Sequence, residues 1–104
     1  MDYYIFFCTV NKIEEGKHIA RILVENKIAA CVNIIQNILS IYEWKEKIEE
    51  DDEYLLIIKT TEEKSDLLIQ KIKELHSYDE PEIIGFKIDK GSETYLNWIK
   101  DVIS

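Results

Sequence analysis

Hydrophobic and polar positions follow two periods along this chain. Tyr3–Val10 is almost continuously apolar or β-favouring, the pattern of a strand covered on both faces. From Asn11 to Asn26 the period lengthens. Ile19, Ile22, Leu23 and Asn26 recur at helical spacing, with Glu15, Lys17, Arg21 and Glu25 over much of the opposite side. Asn11 is placed to cap this helix, and Glu14 three residues on would complete a capping box. Ile28–Trp44 is a β-rich stretch of seventeen residues with a polar break at Gln36-Asn37. At ~3.3 Å per residue it would span roughly 50 Å or more, well beyond an ordinary strand. It therefore predicts one bent strand, or a pair, that reaches outside its own domain.

Lys45–Asp52 reads as a highly charged turn, and Glu53–Thr60 as a strand built on Tyr54-Leu55-Leu56-Ile57-Ile58. Thr60-x-x-Glu63 is a capping-box signature, followed by a helix with Leu68, Ile72 and Leu75 on one face. Pro81 closes that section and pushes Glu80 towards extended geometry. Glu82–Asp89 predicts another strand, and Gly91-Ser92 opens a last helix carrying Tyr95, Leu96, Ile99 and Ile103. The order β-α-β-β-α-β plus a C-terminal helix is that of an α+β, ferredoxin-like (split βαβ) sandwich. Two helices cover one face of such a sheet. Both parities of Tyr3–Cys8 and of Tyr54–Ile58 are apolar, so the second face also needs a cover. The overlong second strand offers an edge for pairing with another chain. A homo-oligomer is the expectation.

Composition narrows this picture. A chain of 104 residues and 12.3 kDa predicts a single domain over residues 1–104. It should expose roughly 6,100 Å² folded against roughly 17,800 Å² unfolded. Apolar residues make up 46%, with only 3 Gly and 1 Pro, which excludes disordered and low-complexity classes. The net charge of −8 lacks the basic patch that nucleic acids and anionic membranes require. No apolar run approaches the ~20 residues of a membrane span. The Met1-Asp2-Tyr3 start has no basic segment ahead of its apolar run, so the chain reads as unprocessed and cytoplasmic. Cys8 and Cys31 lack C-x-x-C spacing and read as free thiols. Enzyme templates are missing: there is no Gly-rich phosphate loop, G-x-S-x-G elbow or metalloprotease histidine pair. The lone arginine, Arg21, is mid-helix. No catalysis is expected.

Several segments occur together in order: Phe6-Phe7-Cys8-Thr9, Leu23-Val24-Glu25-Asn26-Lys27-Ile28-Ala29-Ala30-Cys31-Val32-Asn33 and Ser40-Ile41-Tyr42-Glu43-Trp44. Lys59-Thr60-Thr61, His76-Ser77-Tyr78-Asp79-Glu80-Pro81-Glu82, Gly91 and Tyr95-Leu96-Asn97-Trp98-Ile99 follow. Over essentially the whole chain these resemble the CutA divalent-cation tolerance proteins. The resemblance implies a ferredoxin-like homotrimer, akin to the PII signalling proteins, and a role in metal tolerance with binding of copper or another divalent cation.

The resemblance also implies a metal set of Cys8, Glu53 and His76. A thiolate is a good soft-metal ligand and imidazole the commonest protein ligand. From the residues alone, Cys8 reads instead as a small buried hydrophobe. His76 reads as the end of the second helix, and Glu53 as part of a solvated acidic turn, Glu49-Glu50-Asp51-Asp52-Glu53. The family often has a His-His-Pro-Tyr run where this chain has Leu75-His76-Ser77-Tyr78. In the strand order 4-1-3-2, Cys8 and Glu53 would lie on neighbouring strands. Tyr42, Trp44, Lys59, Tyr78 and Glu82 form a second constellation at strand ends and turns. It could line a small-molecule cleft between subunits, as in a PII-like signalling trimer, or serve as interface packing. His18 reads as a surface residue of the first helix, and Tyr95 and Trp98 as caps on the core.

Overall fold

The computed structural model describes residues 1–104. Its elements are β1 (Tyr3–Val10), α1 (Ile13–Glu25), β2 (Cys31–Trp44), β3 (Lys47–Thr61), α2 (Ser65–Leu75), β4 (Ile84–Lys87) and α3 (Glu93–Ile103). The sheet runs β2-β3-β1-β4, with every neighbouring pair antiparallel. This is the α+β topology that the element order predicts.

The long second strand is one bent strand. Its ladder with β3 runs from Cys31↔Lys59 to Trp44↔Lys47, with a bulge between Ile35 and Ile38. Asn37 takes the left-handed conformation there, φ 62°, a region asparagine tolerates better than most residues. The polar break at Gln36-Asn37 is therefore where the strand bends.

The charged turn is shorter than the sequence suggests. Only Lys45 and Glu46 turn, both with positive φ, as in a two-residue type I′ hairpin. Lys47–Asp52 belongs to β3. Acidic residues at both parities hid this strand, because alternation cannot show where neither face is apolar.

Neither predicted capping box forms. The cap of α1 is Lys12, which makes no side-chain cap hydrogen bond. Thr60 stays in β3, fully buried, and its hydroxyl donates to the Ile28 carbonyl at 2.6 Å. A single 3₁₀ turn (Glu62–Lys64) then leads into α2. At the far end of α1, the Ile28 and Lys27 amides donate to the Leu23 and Val24 carbonyls, a Schellman motif. Lys27 occupies the left-handed position, φ 58°, where glycine is usual.

One core lies between the sheet and the helices α1 and α2. Phe6, Cys8, Val10, Leu56 and Ile58 meet Ile19, Leu23, Leu68 and Ile72 there. A smaller cluster joins Ile99 and Ile103 of α3 to Ala30, with Tyr3 and Leu96 against it. Tyr95 and Trp98 stack on one another and stay nearly half exposed, so they do not cap that cluster; Leu96 does. The rest of the sheet's second face is uncovered within one chain. Ile5, Phe7, Leu55 and Ile57 are half-buried, and Ile35, Ile84 and Phe86 are exposed. β4 is also shorter than predicted, four residues paired along β1 from Phe7 to Tyr4, with the Ile88 amide donating just beyond it to the Tyr3 carbonyl.

Candidate functional site

The outer half of the β2–β3 ladder and the turn after α2 bound an open cleft of about 840 Å³. Tyr42 and Trp44 come from β2, Asp51, Asp52 and Glu53 from β3, and Tyr78, Asp79, Glu80 and Glu82 from the turn. Thr9, Asn11, Ser40 and Ile41 complete it. Six carboxylates line this space, and no lysine or arginine does.

Two phenols sit on two of these carboxylates. Tyr78 donates to Glu53 Oε2 at 2.6 Å, and Tyr42 donates to Asp51 Oδ2. Glu53 is buried, and its phenolic partner satisfies what would otherwise be a costly orphan. Burial and then the Glu53 hydrogen bond push the Tyr78 phenol above its ordinary range. The Asp51 hydrogen bond pushes Tyr42 up to about 12.

Of the residues expected to form a metal set, Glu53 is in the cleft, whereas Cys8 and His76 lie behind its wall. Cys8 pairs with Leu56 in the ladder, three residues from Glu53. An odd offset sends the two side chains to opposite faces of the sheet. Cys8 is fully buried beneath the helices. Its thiol is pushed up to about 12, chiefly by burial and then by Glu82, Glu15 and Glu53.

His76 is buried with both ring nitrogens engaged. Nε2 lies 2.7 Å from the Thr9 carbonyl, and Nδ1 lies 3.1 Å from the Tyr78 amide. The amide only donates and the carbonyl only accepts, so the partners fix the tautomer: Nε2 carries the proton and Nδ1 accepts. Glu15 Oε2 is 3.3 Å from the same Nδ1, but the hydrogen bonds of that carboxylate go to the Ser77 amide and hydroxyl, at 3.0 and 2.8 Å. No group of three or more His, Cys, Asp and Glu side chains is disposed around one metal position in the single chain. Cys8, Glu53 and His76, as placed, do not fit a shared metal ion.

The second constellation divides. Tyr42, Trp44, Tyr78 and Glu82 all line the cleft. Lys59 is elsewhere: it pairs with Cys31 and Ile5 in the sheet, donates to Asn33 Oδ1 at 2.9 Å, and lies over the Tyr95 ring. Without it the cleft carries no cationic group for an anionic ligand. Sequence reasoning missed Asp51 and Asp52, which it assigned to a charged turn, Asp79 and Glu80, to which it gave no role in a site, and the Glu15–Ser77 contact between distant segments.

The topology is that of a small split-βαβ protein, with a cleft lined by carboxylates at one end of the sheet. Comparison with known proteins agrees. The model of the CutA1 divalent ion tolerance protein family matches residues 4–102, and the chain belongs to that family. It is 49% identical over 88 residues to a CutA homolog from Xenopus laevis, covering 85% of this chain and 58% of that protein. It is 40% identical over 97 residues to the divalent-cation tolerance protein CutA of Thermus thermophilus, covering 93% and 94%. The crystal structure of CutA from Xylella fastidiosa superimposes with a TM-score of 0.97 at 35% identity, over 100% of both chains. The chain thus spans little more than half the length of its frog relative.

Proposed function

We propose that this chain serves divalent-cation tolerance by binding divalent cations, copper(II) among them, in the cleft between the β2–β3 arm and the turn after α2, without catalysis. The observation that supports this most is the cleft's charge: six carboxylates with no basic side chain among them. Oxygen donors of this kind suit harder divalent ions. Glu53 and Asp51, each already oriented by a phenol, are the proposed donors.

The proposal includes a homotrimer in the cytoplasm, where Cys8 and Cys31 remain thiols. The chain exposes 6811 Å², more than the roughly 6,100 Å² expected at this mass. Large apolar side chains stand among the exposed ones. Ile41 and Ile48 on the arm are 62% and 70% exposed, beside Leu39 and Trp44, and Ile84 and Phe86 stand on the opposite edge strand. Apolar side chains exposed on this scale are normally covered by a partner, and two open sheet edges allow a second copy to supply the cover.

The test is a competition titration against a chelator with Mn²⁺, Zn²⁺ and Cu²⁺, with the assembly mass followed by sedimentation. Saturable binding that a combined Asp51→Asn/Glu53→Gln variant loses supports the reading. Affinity unchanged in that variant overturns it. A mass equal to one chain removes the trimer.

A further inference from the structure

The environment of His76 assigns it a different task from the one its residue type suggests. The ring is wholly buried at the end of α2 and joins three segments. Nε2 donates to the last-but-one carbonyl of β1, that of Thr9, and Nδ1 accepts from the Tyr78 amide. Next to it, Ser77 is held by both carboxylate oxygens of Glu15 on α1. The rings of His76 and Tyr78 are in contact, with centroids 4.6 Å apart. The far end of Tyr78 then reaches Glu53 in the cleft.

The three consecutive residues of this turn therefore face three different elements, and each contact limits where the next can go. A metal donor needs a free lone pair. The only unprotonated nitrogen of this ring already accepts a hydrogen bond, and freeing it would leave a backbone amide without its partner, a net loss. We infer that His76 is a positioning residue: it pins the turn after α2 so that the Tyr78 phenol stays on Glu53, and it does not itself bind metal. Resting on the cation reading of the cleft, the corollary is that the site presents oxygen only and selects hard over soft cations.

The native protein gives the first readout. Long-range ¹⁵N spectra of the imidazole should show Nε2 protonated and Nδ1 bare, unchanged on adding Cu⁺; a Cu⁺-induced shift of either nitrogen would overturn the inference. The hydrogen-bonded hydroxyl proton of Tyr78, assigned by its loss in Tyr78→Phe, gives the second. It should vanish in His76→Gln while resonances of the core stay in place; its persistence there would also overturn the inference. If His76→Gln does not fold, the paired change Glu15→Ala/Ser77→Ala should broaden or shift the same proton, and no effect counts against the idea.

Mn²⁺ affinity, read by electron paramagnetic resonance, supplies the functional arm. His76→Gln and Tyr78→Phe should each weaken it about tenfold, the usual scale for a residue that orients a ligand. The double variant should lose no more than either, because both act through one contact; additive losses would contradict positioning. A native protein that takes up no Mn²⁺, yet shows the expected nitrogen and hydroxyl signals, would remove the cation reading and leave the role of His76 standing.

Discussion

Replacing Cys8 by alanine should flatten the alkaline side of the stability profile. Burial, with the negative charges of Glu82, Glu15 and Glu53 in the surroundings, pushes the folded thiol up to about 12, against 9.0 for an open one. A group whose pKa rises on folding stabilises the native state below its unfolded pKa. That contribution falls as pH climbs from 9.0 towards about 12. Integrated from about pH 7 to about pH 10, Cys8 should account for a loss of about 1.4 kcal/mol. The assay is urea unfolding of the native protein and Cys8→Ala at both pH values. Protein concentration must be fixed, since assembly shifts apparent stability. The two proteins differ in packing at any pH, so the quantity compared is the change between pH values. An identical pH dependence in both would refute the reasoning. The same burial bears on metals: a soft ion at Cys8 must displace a proton that the buried site holds more tightly than an open thiol does.

Further outcomes follow from single contacts. A methyl at Gly85 would sit 2.5 to 2.8 Å from the Phe6 ring, so Gly85→Ala should cost about 1–3 kcal/mol by overpacking, read as a lower thermal midpoint. Thr60→Val removes the buried donor to the Ile28 carbonyl and should cost about 1–3 kcal/mol, whereas Thr60→Ser, which keeps the hydroxyl, should lose less. Glu46→Gly relieves a left-handed residue in the hairpin turn, φ 67°, and should stabilise the protein by about 1 kcal/mol in the same melts.

Much of the fold is legible because its two layers rest on local periods. The helical spacing of Ile19 and Leu23, and of Leu68 and Ile72, marks two faces that the structure buries. The doubly apolar Tyr3–Cys8 and Tyr54–Ile58 runs report a sheet that one pair of helices cannot cover. The caps differ from the sequence pattern for a physical reason. A side-chain cap competes with other partners, and Thr60 found the Ile28 carbonyl while Lys12 took the position expected for Asn11. The acidic run Glu49–Asp52 does not read as a strand, since it is held by the Leu39–Tyr42 partner across the ladder and not marked by its own alternation.

What the sequence determined by itself, then, is the order of elements, the apolar faces and the surplus of negative charge. Those depend on each residue's relation to its own helix or strand. What the tertiary structure decided is which side chains share a space. The register that sets Cys8 against Leu56 sends it to the opposite face from Glu53. The turn after α2 hands His76 to a backbone carbonyl and Tyr78 to a carboxylate. Proximity between segments is fixed by pairing register and packing, and no spacing along a single chain encodes it.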